Sequence, residues 1–336
     1  MMKNKSIILI LAAVLAGANL LSGCGGTREE VPSQEVTLAM GFIPNVQFAP
    51  WYVAVEKGYL AEEGIEVKFD YGWETDLLKL VGSDELQFAI ASGDQVILAR
   101  SQGLPVIYVM NWYRRFPVCI VSLAEAGIRE PQALAGKRVG TPATYGASYI
   151  GWRALLDAVG LDEAEVELIS IGYTQVAALT QGQVDAAVCY AMNEPVQMET
   201  AGRSLDVIYV ADYANLISNG LITNKRTVDT RSELVNGMVR AALRGLTYTL
   251  EHPKEAFEIS LKYVPEAATD TETEAVNRAI LEKSIEFWSA DPGELGRSQE
   301  AEWQAAQRIM QQMGLVDTEV DVTTLFTNQF IVEVKP

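Results

Sequence analysis

One plan of strand, helix, strand, helix and strand is written twice along this sequence, in different letters. In the first half, residues 35–40 alternate as a strand does, and a loop rich in Pro, Asn and aromatic residues follows at 41–48. Residues 49–63 carry the apolar spacing of a helix, with Tyr52, Val55 and Tyr59 on one face and Gly64 as the stop. Residues 65–71 read as a second strand and 75–81 as a short helix. A third strand at 86–91 ends in Ser92-Gly93-Asp94-Gln95. The second half starts at Lys137, with a strand at 137–141 and a small-residue loop at 142–146 that holds a tyrosine. A helix at 147–159 stops at Gly160, and then come a strand at 166–171, a helix at 174–181 and a strand at 184–190. That last strand ends in Ala191-Met192-Asn193-Glu194-Pro195. The phrases leading into the two third strands also match, Gly82-Ser83-Asp84-Glu85-Leu86-Gln87-Phe88-Ala89 against Gly182-Gln183-Val184-Asp185-Ala186-Ala187.

Such a plan calls for parallel pairing, with helices on both faces of a sheet. Because the plan restarts, two sheets are expected, and with them two lobes of an α/β protein. About 300 residues are enough for two separate cores. The first lobe is predicted to take residues 35–110 and 225–336, and the second 111–224. The crossover is predicted over 106–123, extended through Tyr108, Trp112, Tyr113 and Val118, with a return near 215–224. Helices at 231–251, 272–290 and 297–313 are expected to pack on the first lobe. Two crossings would make a hinge.

The N-terminus reads as a processed leader. Lys3 and Lys5 precede an apolar run at 7–18, shorter than the ~20 residues that span a bilayer. Leu20-Leu21-Ser22-Gly23-Cys24 then resembles a bacterial lipobox. Residues 1–23 are therefore expected to be a signal peptide, Cys24 to become the first mature residue and carry lipid, and 24–34 to be a tether. Loss of Lys3 and Lys5 takes the formal charge of −18 to −20. That balance excludes nucleic acid as a partner. Cys119 and Cys189 sit in apolar strand-like runs and read as buried thiols.

In open parallel sheets, ligands gather outside the carboxyl ends of the strands. Two facing lobes place four such loops around one cleft, and these loops combine flat rings with amides and hydroxyls. The first offers Asn45, Gln47, Phe48 and Trp51, and the third-strand loop offers Ser92, Asp94 and Gln95. The crossover offers Asn111, Trp112, Tyr113 and Arg114. The second lobe adds Tyr145, Ser148, Tyr149, Tyr190, Asn193 and Glu194. Aromatic faces suit a planar ring, and amides can satisfy the donors and acceptors on its edge. Trp51 could equally be core, Trp73 could pack beneath the first loop, and Asn193 with Glu194 could cap the next helix. Catalysis has little support. The one histidine, His252, stands in Glu251-His252-Pro253 at a helix end, and no His or Cys spacing fits a metal. No nucleophile elbow or phosphate-binding glycine loop is present. A non-catalytic binder without cofactor or metal is expected.

The run Gly41-Phe42-Ile43-Pro44-Asn45-Val46-Gln47-Phe48-Ala49-Pro50, together with Ala54-Val55-Glu56-Lys57-Gly58-Tyr59-Leu60 and Glu63-Gly64-Ile65-Glu66-Val67, resembles the substrate-binding lipoproteins of ABC importers. The similar branch is the one related to the eukaryotic thiamine-pyrimidine synthase. The resemblance implies a periplasmic-binding-protein type II fold with parallel-rich sheets and a two-crossing hinge. It also implies an ABC permease as partner and a lipid anchor on the extracytoplasmic face of the cell membrane. Pyrimidine binders of the branch carry Asp-Trp before Pro-Asn and a His after it. Here Phe42-Ile43 stands before Pro44-Asn45, and no histidine matches. With Asn111-Trp112-Tyr113, the pattern is more similar to the riboflavin-type members. Riboflavin is thus the ligand the resemblance implies, with a thiamine pyrimidine precursor as alternative. A pyrimidine-related enzyme of the same fold and a ligand sensor are further alternatives.

Overall fold

Ten strands divide into two five-stranded sheets, and each sheet repeats the other's design. The computed structural model describes residues 33–291 and 293–331. Cys24, the leader 1–23 and the tether up to residue 32 lie outside the described residues. The first sheet holds β1 (Gln34–Met40), β2 (Ile65–Tyr71), β3 (Phe88–Ser92) and β4 (Val106–Asn111). The second holds β5 (Val118–Leu123), β6 (Arg138–Thr141), β7 (Glu167–Ser170), β8 (Ala186–Tyr190) and β9 (Leu205–Tyr209). The last strand, β10 (Asn219–Asn224), returns to the first sheet. The strand orders are β2-β1-β3-β10-β4 and β7-β6-β8-β5-β9.

Pairing is parallel within each repeated unit: β1 with β2 and β3, and β6 with β7 and β8. One strand per sheet runs the other way, β10 between β3 and β4 and β5 between β8 and β9. Both are strands that have just arrived from the other lobe. Each starts at the cleft, Asn219 opposite Ser92 and Val118 opposite Tyr190, so each must run away from it. The chain crosses at 112–117 and again at 210–218.

The expected fold class stands, and the details that differ have local causes. Gln34, expected in the tether, opens β1 against Ile65. Residues 219–224, expected to close the second lobe, form a strand of the first sheet. The helix expected over 49–63 is broken. It runs Ala49–Glu56 and restarts as Tyr59–Glu62, because Gly58 takes a φ of 74° that other residues rarely adopt. Ser232–Glu251 does pack on the first lobe, where Gly245 lets it approach closely. A Cβ there would sit 2.2 Å from the carbonyl oxygen of Pro50. The two later helices straddle the lobes instead. Thr271–Trp288 touches both the Val46–Phe48 turn and the Glu194–Thr200 helix. Glu300–Gln312 lies against Gly93–Ser101 of one lobe and Gly146–Val159 of the other.

Cys119 and Cys189 face each other across the β5–β8 ladder as buried free thiols, and burial pushes both well above the usual thiol range. No described helix is long and apolar enough to cross a membrane.

Candidate functional site

The carboxyl ends of the parallel strands face one another across a cavity. The first lobe supplies Gly41, Phe42, Gln47 and Phe48 after β1, then Trp73, Glu74 and Thr75 after β2, and Gln95 after β3. Trp112 and Tyr113 enter from the outgoing crossing, and Asn219 from the returning one. The second lobe supplies Tyr145 and Ser148 after β6, Tyr173 and Gln175 after β7, and Tyr190, Asn193 and Glu194 after β8. About 770 Å³ is free of protein atoms, solvent at the mouth included. That volume suits a small organic molecule.

Rings from both lobes meet over the cavity as over a slot. Trp73 of the first lobe stacks on Tyr173 of the second, centroids 4.6 Å apart and planes 17° from parallel. Phe42 meets Tyr173 edge-on at 4.8 Å, and Tyr145 meets Trp73 at 5.7 Å. Deeper in, Trp112 packs with Phe48 at 5.9 Å, Trp51 at 5.8 Å and Trp288 at 5.4 Å. The Tyr113 hydroxyl donates to Gln47 Oε1 at 3.2 Å. The Tyr190 hydroxyl donates to Asn219 Oδ1 at 3.4 Å, from β8 of one sheet to β10 of the other.

Beneath the rings lies an acidic network with no cation among the described residues that line it. Glu74 Oε1 accepts from Asn219 Nδ2 at 2.6 Å. Its Oε2 accepts from the Ser92 amide at 3.3 Å and from the Gln95 side chain, with the Ser92 hydroxyl at 3.2 Å. Gly41 makes room for this carboxylate, since a Cβ there would sit 2.4 Å from Glu74 Cγ. Asp94 lies behind, its Oδ1 accepting from the Gln95 amide at 2.6 Å and from Ser92 Oγ, while Oδ2 has no partner among the described residues. Burial pushes Glu74 up to about 7 and Asp94 up to about 8, where the nearby Glu74 charge adds to the shift. Glu194 reaches the lining from the other side, accepting from the Tyr190 amide at 3.1 Å, and burial pushes it up to about 7. Asn193 precedes the Glu194–Thr200 helix without a side-chain cap bond, and its buried Oδ1 has no partner among the described residues.

Residues 45–256 match the family described as "NMT1/THI5 like". The chain belongs to the NMT1/THI5-like family. It is 40% identical to the riboflavin-binding protein RibY of Chloroflexus aurantiacus, over 97% of this chain and 95% of that one. It is 31% identical to the formylaminopyrimidine-binding protein of Halalkalibacterium halodurans, over 79% and 81% of the two chains. Among solved structures, the alkanesulfonate-binding protein SsuA of Xanthomonas axonopodis pv. citri superposes with a TM-score of 0.70 at 13% identity, covering 89% of this chain and 99% of that one. The fold is thus that of the periplasmic binding proteins.

The cavity of this NMT1/THI5-like chain gathers many of the residues singled out by sequence. Gln47, Phe48, Trp112, Tyr113, Tyr145, Ser148, Tyr190, Asn193 and Glu194 all line it. Others lie elsewhere, Asn111 among them. Asn45 caps the Val46–Phe48 turn, taking the Gln47 amide at 2.9 Å. Trp51 is core, pressed edge-on against Trp112. Ser92 and Asp94 are held in the network behind the lining. Arg114 turns away and donates to the Arg297 carbonyl at 2.7 Å. Tyr149 lies against Glu163 and Arg153, its hydroxyl 3.2 Å from Glu163 Oε2. Sequence reasoning missed Phe42, Glu74, Thr75, Tyr173, Gln175 and Asn219, and weighed Trp73 as packing or contact without placing it in the site. The repeat held the signal: Gly72-Trp73 and Gly172-Tyr173 occupy the same place in the two halves, and their rings meet.

Proposed function

We propose that this chain is an extracytoplasmic binding lipoprotein of an ABC importer that captures riboflavin and hands it to a permease. The observation that carries the reading is the Trp73–Tyr173 stack, two nearly parallel rings contributed by opposite lobes over an aromatic slot. A flat ring system entering as the lobes part would lie between them and hold them together on closing. Asn193 Oδ1, Glu194 and Gln175 offer edge acceptors and donors that a flavin can match. The 40% identical relative named as a riboflavin binder supports the choice of ring. The relative named as a formylaminopyrimidine binder favours a second reading, a thiamine pyrimidine precursor.

Titration with riboflavin and with an aminomethylpyrimidine separates the two. Riboflavin fluorescence is expected to fall on mixing, because a stacked indole or phenol quenches a flavin. Calorimetry should show riboflavin as the tighter ligand, and the flavin should be recovered unchanged. Trp73→Ala and Tyr173→Ala should each weaken it by about 5- to 150-fold, the worth of one lost stacking face of ~1–3 kcal/mol. Heat with the pyrimidine alone, and no quenching, would install the second reading.

Cys24 carries the anchor in this proposal. Cys24→Ser should move the protein from the membrane fraction to the soluble fraction, as no described helix could hold it there. Wild-type protein that washes off membranes with salt alone would rule the anchor out.

A further inference from the structure

We propose that the cavity accepts only uncharged ligands, with Glu74 and Glu194 as the groups that turn away phosphorylated forms. The inference deepens the riboflavin reading and rests on it. Two carboxyl groups reach the lining from opposite lobes, and a third, Asp94, stands behind Ser92 and Gln95. No Lys, Arg or His is among the described residues lining the cavity. The basic side chains next in sequence to the lining are committed elsewhere. Arg114 donates to the Arg297 carbonyl, and Arg115 pairs with Asp212 at 2.7 Å.

Glu74 cannot swing aside. Asn219, Ser92 and Gln95 hold both its oxygens, and all three partners are neutral. Its reach crosses the cleft, since the Glu74 charge bears on Tyr173 and Tyr190 of the opposite lobe. A phosphate brought between the closed lobes would lose its water and find no cation in exchange. It would also stand beside acidic groups. Either effect is unfavourable, and together they select strongly against an anion. A neutral ligand meets the reverse situation. Its N–H and O–H groups find acceptors at Glu194 and at the unpartnered Asn193 Oδ1. Protonation of the carboxyls changes which of them donates, and in neither state do they supply positive charge.

Calorimetry at pH 7.5 with two pairs of compounds tests the inference: riboflavin against its 5′-phosphate, and a hydroxymethylpyrimidine against its monophosphate. The neutral member of the pair that binds should be tighter by at least about 100-fold, as expected for burying an unpaired charge. Glu74→Gln and Glu194→Gln should each shrink that ratio about tenfold by removing an acid and adding an amide donor. Either variant suffices if the other melts early. A ratio unchanged in a folded variant would mean that these carboxyls do not turn the phosphate away, and overturns the proposal. Equal binding of a neutral compound and its phosphate also overturns it, and leaves the flavin reading intact. Discrimination within the pyrimidine pair alone keeps the charge rule and removes the flavin reading. Silence with all four compounds removes both.

Discussion

Trp112→Ala is expected to cost about 3–5 kcal/mol of folding stability, the range for emptying a buried tryptophan site. Trp112 is 1% exposed. Its ring joins Phe48 and Trp51 of the first loop, Tyr113 of the crossing and Trp288 of a helix that touches both lobes. The indole N–H has no hydrogen-bond partner among the described residues, so the ring contributes through packing. The neighbouring rings belong to three separate segments and cannot collapse together to fill the gap. Urea unfolding of wild type and variant measures the loss. A change below about 1 kcal/mol would mean that the site relaxes freely. The sequence suggested Trp112 as a surface on which a ligand stacks. The structure makes it a cavity wall and core at once, so its substitution reports folding before it reports affinity. Trp73, half-buried at the mouth, is the cleaner probe of the proposed flavin site.

Asp94→Asn should flatten the dependence of stability on pH. Asp94 is pushed up to about 8 in the folded protein, from an ordinary 3.8. Between those values the folded chain holds a proton that the unfolded chain has released. Its contribution to stability is therefore greatest at low pH and is lost as pH rises toward 8. One such proton gives a slope of up to about 1.4 kcal/mol per pH unit. Glu74 and Glu194, both held at about 7, act in the same direction over a narrower window. Asparagine keeps the oxygen that accepts from the Gln95 amide and places its NH2 where Oδ2 now has no partner. That mismatch costs the same at every pH. The readout is thus the change in the wild-type–variant difference between pH 5 and pH 8.5, with the variant gaining at the alkaline end. Parallel stability curves would show that Asp94 is ionised in the folded protein.

The difference between Asp94 and Glu194 illustrates how far the sequence reaches. Both follow a third strand in their half of the repeat, and sequence alone ranks them together. Glu194 arrives at the cavity, whereas Asp94 is held behind Ser92 and Gln95. The deciding fact is the approach of Glu74 from another loop, which Gly41 permits. Arg114 shows the same limit. It follows two cavity-lining aromatics, yet a carbonyl from residue 297 draws it away.

What the sequence determined by itself was the repeated plan: the strands, most helix limits, the two lobes, and the loops that face the cleft. These follow from local causes. Residue spacing sets which face of an element is apolar, and glycines such as Gly64 and Gly160 end helices by taking φ values of 69° and 68°. Only the tertiary structure decided which ring in a loop faces the slot and which is core, as with Trp73 and Trp51. It alone placed Tyr173 on Trp73, and it alone set the last two helices across both lobes. Those outcomes depend on what arrives from distant segments, through packing and desolvation that no local spacing encodes.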